Sequence, residues 1–355
     1  MKKILHIEIQ KNIGGIERFL CNLTSNFGDE YIHDFITTKE YGAYINELNY
    51  RRIIKINSVN HIVNYMIDLY RIMKNNEYDY IHIHKNSLAN IIPIIIAYIL
   101  KKDIIIHSHN TKPKYNNLLV RLLHYVNRNL LKYMNVVRIA CSNKAGEWLY
   151  GGKHFHIIRN GINYSEIIER VKNRDSIRKK YSIDNDTICL GSVAAFIIQK
   201  NHEYIIDILA SMIKKKENVK LILIGTGCRR NKIIDYIKKL GVEDRIIMLG
   251  ERQDVYNLLS AIDVIIMPSF YEGLPVSALE AQIAGCSVFI TDNVDRDVCL
   301  SNKIHFKSLL DGPDSWADNI IKNKEEYKNR SPYLENKYKI ENTVVAMHDI
   351  YEKGR

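Results

Sequence analysis

Pro268-Ser269-Phe270-Tyr271-Glu272-Gly273-Leu274-Pro275-Val276-Ser277-Ala278-Leu279-Glu280 follows directly on an apolar run, Asp263 to Met267. The run is short and reads as a buried strand. Gly273 and Pro275 mark a tight loop, and Pro275 suits the first turn of a helix, where its fixed φ is helical and its missing N–H is not needed. Glu272 then sits on a loop at the carboxyl end of a strand, and Glu280 lies about a turn and a half into the following helix. Open α/β sheets bind ligands at that edge, and unpaired N–H groups at a helix start favour phosphate. The two carboxylates can accept hydrogen bonds from hydroxyls on either side of it. Spacing alone is equally compatible with two solvated surface charges.

Outward from this stretch, the second half of the chain repeats strand, loop and helix. Thr187 to Val193 reads as a strand, followed by Ala194-Ala195-Phe196-Ile197-Ile198-Gln199-Lys200-Asn201-His202. Lys220 to Ile224 leads through Gly225-Thr226-Gly227 into a helix from Arg229 to Leu240. Ile246 to Leu249 is a strand with the loop Gly250-Glu251-Arg252-Gln253-Asp254, and Cys286 to Thr291 is another. A single Gly-x-Gly lacks the third glycine and the later acidic residue of a dinucleotide fingerprint, which disfavours a dehydrogenase. Asp295-Arg296-Asp297 has no strand leading into it and is discounted as a manganese motif. Asp292 to Lys303 reads as a loop, Trp316 opens an amphipathic stretch, and a last helix is expected from Leu334 to Tyr351.

The first half has the same rhythm. Lys3 to Ile9 is a strand, Gly14-Gly15 a loop able to bring backbone N–H groups to an anion, and Ile16 to Phe27 a helix. Strands near Asp34–Thr38, Ile53–Ile56, Tyr80–His84, Ile104–Asn110 and Val136–Ser142 follow, with helices at Asn60–Lys74 and Leu88–Leu100, and with Ser142 placed to cap the next helix. Such alternation predicts parallel sheets with crossover helices. His82, His84, His107 and His109 occupy alternate positions on two strands. No carboxylate or cysteine is spaced to complete a ligand set with them, so no metal or other cofactor is expected. Asn160-Gly161 signals a turn, and the polar segment 164–187 reads as a connecting helix and linker.

The chain of 355 residues accommodates two domains. Six scattered cysteines without a Cys-x-x-Cys pair argue against a disulfide framework or a zinc site and fit a reducing cytoplasm. Met1-Lys2-Lys3 runs straight into a strand, so no secretory signal is expected. The apolar run Leu88 to Leu100, broken by Asn90 and Pro93, is too short to span a bilayer. Of the net charge of +11, residues 1–170 carry +9 (23 Lys+Arg against 14 Asp+Glu). A basic first half suits a peripheral contact with an anionic inner membrane face or a phosphate-bearing acceptor. The basic residues are dispersed and no nucleic-acid-binding signature is present, so nucleic acid is not an expected partner.

Glu272-x7-Glu280 with Gly273-Leu274-Pro275 between, Gly14-Gly15-Ile16-Glu17-Arg18, His107-Ser108-His109-Asn110 and Gln199-Lys200-Asn201-His202-Glu203 together resemble the retaining nucleotide-sugar glycosyltransferases of family four. The flavour is that of bacterial capsule and exopolysaccharide enzymes, and the resemblance covers nearly the whole chain. It implies the GT-B fold, two Rossmann-like doubly wound domains facing a cleft. The first would be an acceptor domain of residues 1–164, with a terminal helix of about 335–355 packed back on it; the second would be a donor domain of residues 165–334. It implies transfer of a sugar from a nucleoside-diphosphate sugar, a UDP-sugar, to a lipid-linked or oligosaccharide acceptor, with retention and without a metal. Glu272 and His109 would hold the transferred sugar and Glu280 the ribose. Lys200 and the helix start at Gly273-Leu274-Pro275 would stabilise the leaving diphosphate, which Gly14-Gly15 would approach from the other domain. The loops at Gly225-Thr226 and Arg252 would hold the base, while Lys85, Asn110 and Lys112 would help place the acceptor.

One departure stands out. Members of the family typically carry an Arg where this chain has Ala195, paired with the Lys at Lys200. Loss of one such cation would cost on the order of 2.7–4 kcal/mol of transition-state stabilisation unless Arg252 or another cation substitutes. The rival readings are a non-catalytic, sugar-nucleotide-binding or scaffolding homologue, and an epimerase on the same architecture.

Overall fold

The computed structural model describes residues 1–9, 15–40, 43–110, 118–327, 330–333 and 338–354. The chain divides into two compact units, Met1–Ile162 with Lys337–Arg355, and Asn163–Asn336.

The first unit is built on β1 (Lys2–Ile9), β2 (Tyr31–Thr37), β3 (Arg52–Lys55), β4 (Tyr80–Lys85), β5 (Ile104–Ser108), β6 (Val137–Ala140) and β7 (His156–Ile157). These form one sheet in the order β3-β2-β1-β4-β5-β6-β7, and every pairing is parallel. Parallel sheets are covered on both faces, and period-two alternation supplies both cores. Leu5, Ile7, Ile81, Ile83 and Ile106 meet Tyr65, Leu69 and Met73 of the helix Ile62–Asn75 on one face. Ile4, Tyr80 and Ile105 meet Phe19 and Leu20 of the helix Gly15–Ser25 and Tyr351 of the helix Ile340–Lys353 on the other.

The second unit carries β8 (Ile188–Val193), β9 (Val219–Ile224), β10 (Ile246–Gly250), β11 (Val264–Met267), β12 (Ser287–Thr291) and β13 (Ile304–Lys307), again all parallel, in the order β10-β9-β8-β11-β12-β13. In both sheets the order runs outward from the first strand in two directions. The winding reverses between β1 and β4 in one and between β8 and β11 in the other. A doubly wound sheet offers a ligand crevice at the carboxyl ends of its strands at that reversal.

Segment 164–187 is not a free linker. Its helix Arg174–Lys180 is tied to the second sheet by Arg178, 2% exposed, which bonds Asp263 at 3.2 Å and the carbonyls of Asp184 and Thr187 at 2.6 Å. Arg174 reaches the other oxygen of Asp263 at 2.5 Å.

Several boundaries differ from those read in the sequence. The helix expected at Leu88–Leu100 is confined to Ile92–Ile99, with Pro93 in its first turn, because Asn90 diverts the chain and takes the Ile92 N–H on its own side-chain oxygen. The stretch opening at Trp316 is a helix from Gly312 to Lys322, and the last helix begins at Ile340 instead of Leu334. The loop from Asp292 is followed by an unanticipated strand, β13, and the helix Leu118–Leu131 was not anticipated either. Ser142 caps the helix Asn143–Tyr150 by accepting the Ala145 N–H at 3.2 Å.

Candidate active site

Three loops leave the carboxyl edge of the second sheet at and beside its reversal, those after β8, β9 and β11. The loop after β8 lies against the loop after β11, because the two strands are neighbours (Val264 opposite Leu190). Backbone and side-chain bonds hold them together: Phe270 N–H donates to the Gln199 carbonyl at 2.9 Å, Gln199 Nε2 to the Tyr271 carbonyl at 2.8 Å, and Asn201 Nδ2 to the Pro268 carbonyl at 3.2 Å. On the other side, the loop after β8 is held to the loop after β9. Phe196 N–H donates to the Thr226 carbonyl at 2.9 Å, and the Phe196 carbonyl takes the Arg229 N–H at 3.0 Å. Gly225 has φ +138°, and a Cβ on it would stand 2.1 Å from the Ala194 carbonyl oxygen, so this close approach requires glycine.

This arrangement brings Lys200 to Glu272. Nζ stands 2.5 Å from Oε1, and the pair is only partly open to solvent. Charge-assisted bonds of this kind are the strong ones, and a half-desolvated setting strengthens them. Gly273 and Leu274 are half-buried and lead to Pro275, which precedes the helix Val276–Ile283. Among the described residues no acceptor stands against the N–H of Val276 or Ser277; the first backbone bonds of this helix run from Ala278 and Leu279 to the Pro275 carbonyl. A cation and two helix-start N–H groups thus lie on the loops that flank the reversal. Glu280 is buried, and its Oε1 accepts from Tyr256 Oη at 2.9 Å. Tyr256 is a partner that spacing did not reveal, because it sits on a different β–α unit.

Two cations that could stand in for an arginine at Ala195 are engaged. Arg252 makes a two-point bond to Asp254, both at 2.7 Å, and Arg229 is paired with Glu203. Ala195 itself is exposed. The backbone of the expected base-binding loops is partly used within the fold, Gly225 N–H on the Gly250 carbonyl at 2.7 Å and the Thr226 carbonyl on Phe196.

In the first unit, Gly15 opens the helix Gly15–Ser25, and a Cβ on it would meet nothing within 4 Å. Gly14 and Lys112 lie outside the described residues. His109 follows β5; its N–H donates to the Lys85 carbonyl at 3.1 Å, and its Nε2 stands 3.0 Å from His84 Nδ1. Burial holds its imidazole at about 3, so the ring is neutral. The Lys85 side chain is buried on the sheet face opposite His84, since neighbouring strand residues point to opposite faces. His82, His84 and His107 are buried with it in the sheet, together with His6 and His33, which the sequence did not single out. Among the described residues, His33 Nε2, His82 Nε2 and His109 Nδ1 have no hydrogen-bond partner. An unsatisfied buried polar group costs about 1–3 kcal/mol, so this cluster is a local cost within an otherwise well-packed core.

Comparison with known proteins matches this architecture. Residues 13–166 match the model for glycosyltransferase family 4, and residues 173–339 match that for glycosyl transferases group 1, so that the two together span nearly the whole chain. A Bacillus subtilis (strain 168) protein named as a glycosyltransferase, EpsF, is 26% identical over 335 residues, covering 90% of this chain and 87% of its own. The UDP-Gal:alpha-D-GlcNAc-diphosphoundecaprenol alpha-1,3-galactosyltransferase of Escherichia coli is 22% identical, with 98% and 96% covered. The capsular polysaccharide biosynthesis glycosyltransferase CapH of Staphylococcus aureus is 23% identical, with 99% of both covered. Among solved structures, Anabaena Alr3699/HepE in complex with UDP and glucose superposes with a TM-score of 0.78 at 16% identity, covering 99% of this chain and 100% of that one. With two parallel-sheet α/β units and matches along both, the chain belongs to the group 1 and family 4 glycosyltransferases of GT-B fold.

Proposed function

We propose that this glycosyltransferase moves a sugar from a UDP-sugar to a lipid-linked saccharide during assembly of a bacterial surface polysaccharide, with retention at the anomeric carbon. The observation that carries the donor assignment is the Lys200–Glu272 pair on the loops flanking the sheet reversal, beside the unpartnered N–H groups of Val276 and Ser277. As the bond from the sugar carbon to the diphosphate breaks, its electron pair stays on the diphosphate. Lys200 and those N–H groups are the donors suited to the growing negative charge. Glu280, oriented by Tyr256, is a ready acceptor for ribose hydroxyls. Gly15 and His109 are assigned to the diphosphate and the sugar by the family resemblance alone. No metal is required in this scheme.

The acceptor class rests on relatives: the E. coli enzyme is named for a diphosphoundecaprenol-linked acceptor and the S. aureus one for capsule synthesis. A peripheral membrane contact suits such an acceptor. On the helix Leu118–Leu131, Leu119, Leu122, Val126 and Leu130 form an exposed apolar stripe at helical spacing, with Arg121 exposed among them and no acidic residue in the helix. No described helix is long and apolar enough to cross a membrane.

The test is release of nucleoside diphosphate from UDP-, GDP- and dTDP-sugars, with and without a membrane extract as acceptor. Acceptor-dependent turnover of a UDP-sugar, lost in Glu272→Ala, is the expected result, and the anomeric configuration of the product by NMR reads the stereochemistry. Release from GDP-sugars only would replace the donor, and an inverted product would remove the retaining mechanism.

A further inference from the structure

The histidines of the first sheet form a connected cluster. Strand register sets His6 of β1 opposite His82 of β4, and His84 of β4 opposite His107 of β5. Period-two alternation turns all of them to the face covered by the helices Gly15–Ser25 and Ile340–Lys353. Three contacts link four rings in a chain: His33 Nδ1 to His6 Nε2 at 3.0 Å, His6 Nδ1 to His84 Nε2 at 3.1 Å, and His84 Nδ1 to His109 Nε2 at 3.0 Å. A neutral imidazole has one donor and one acceptor nitrogen. The chain therefore runs in one direction only and leaves an unpartnered nitrogen at each end, His33 Nε2 and His109 Nδ1. His107 packs against His82 and His109, with ring centroids 5.6 and 4.0 Å apart.

We propose that His84, His107 and His109 bind a borderline divalent transition-metal ion of the zinc type, with His109 ligating through Nε2 and keeping its Nδ1–H for the sugar hydroxyl that the proposed function assigns to it. One ring nitrogen from each lies within 4.8 Å of the others. Tetrahedral zinc with bonds of about 2.1 Å needs nitrogens roughly 3.4 Å apart, so the His84–His109 contact has to open by only a few tenths of an ångström. Three imidazoles with no carboxylate in the set select zinc, cobalt or nickel over magnesium or calcium. Ligation by His84 Nδ1 leaves its Nε2–H to donate to His6, and His6 then donates to His33. Metal-bound histidines are usually held by such an outer hydrogen bond, which fixes tautomer and ring angle. Phe19 walls the set, its ring centroid 4.9 Å from that of His107 and 5.3 Å from that of His109. His109, half-buried after β5, gives the site its approach, and water completes the coordination.

The experiment uses the full chain without a histidine tag, stripped by a chelator and titrated with Co(II). The expected result is one equivalent bound per chain, with ligand-field absorption in the visible that Zn(II) abolishes. His107→Phe and His109→Asn should each lose that equivalent, while the double variant His154→Ala/His156→Ala, at an outlying pair of histidines, should keep it. Circular dichroism and gel filtration establish that each variant is folded. His109→Asn, at the less buried position, carries the test should His107→Phe fail to fold. Absence of stoichiometric Co(II) in the wild-type chain would overturn the proposal, as would binding that survives His109→Asn or that disappears with His154 and His156.

Discussion

Lys200 Nζ donates to Glu272 Oε1 across 72 residues of sequence, at 2.5 Å, with the two side chains 19% and 7% exposed. Neither residue is free to act alone: the carboxylate positions the ammonium beside the helix start, and the ammonium offsets the desolvation of the carboxylate. Under the proposed function, a diphosphate entering there would replace one anionic partner of Lys200 by another, and the Lys200–Glu272 pair would hold the cation in place beforehand.

Lys200→Ala should therefore lower kcat by about 10²–10³-fold, the usual effect of removing one pre-positioned donor to a developing negative charge. Lys200→Arg should recover part of it. Steady-state kinetics on the donor identified by the release assay measure both. If kcat is unchanged and only KM rises, Lys200 binds the ground state and has no special role in bond breaking.

Ala195→Arg should raise kcat. The family resemblance gives this position an arginine, the position is exposed and has room for a long side chain, and on the neighbouring loops Arg252 is committed to Asp254 and Arg229 to Glu203. The gain should be up to the same 10²–10³-fold that one donor supplies. An unchanged or lower kcat, measured with the protein fully folded, would mean that the site works without a second cation at that point.

Glycine and proline made the loop at Glu272 to Pro275 legible in the sequence, because those residues punctuate the backbone wherever they occur. The Lys200–Glu272 contact was not legible. It depends on β8 and β11 being neighbours, which is a property of the winding and not of either segment. His6 and His33 escaped notice for a related reason: each is one histidine on its strand, and only the inter-strand register gathers them with His82, His84, His107 and His109. Helix Leu118–Leu131 was missed because most of its large apolar residues are exposed, while polar His124 and Asn127 take the buried side. That inverts the pattern by which an amphipathic helix is recognised.

The same inversion yields a membrane prediction. Replacing Leu119, Leu122 and Val126 together by serine should leave thermal stability almost unchanged, since all three are exposed. Co-flotation with vesicles containing phosphatidylglycerol should fall several-fold, because burying such side chains supplies most of the affinity of an interfacial helix. Raising the salt should weaken the wild-type interaction through screening of Arg121 and its basic neighbours. Equal flotation of wild type and triple variant would remove this helix as the contact.

His124 sets a pH dependence of stability. Its Nδ1 accepts the Leu88 N–H at 3.1 Å, its Nε2 donates to the Trp148 carbonyl at 3.2 Å, and the ring stacks on Trp148 at 4.0 Å between centroids. The two backbone partners demand the neutral ring protonated on Nε2. Burial pushes its pKa down to about 4, the Trp148 carbonyl opposes the shift, and Arg128 on the same helix reinforces it. The folded value lies below the unfolded one near 6.5, so between the two the unfolded chain binds the extra proton. Stability from this group is complete above about pH 6.5 and is lost as the pH falls toward 4. His202 in the second unit, pushed to about 4 by burial and edge-on to Phe196, acts in the same direction. Urea unfolding at a series of pH values between 7.5 and 4.5 measures the slope for wild type and for His124→Gln. The variant should be less stable at neutral pH and should lose less on acidification. Identical slopes would mean that the folded chain accepts the proton at His124 without penalty, and the assigned tautomer would then be wrong.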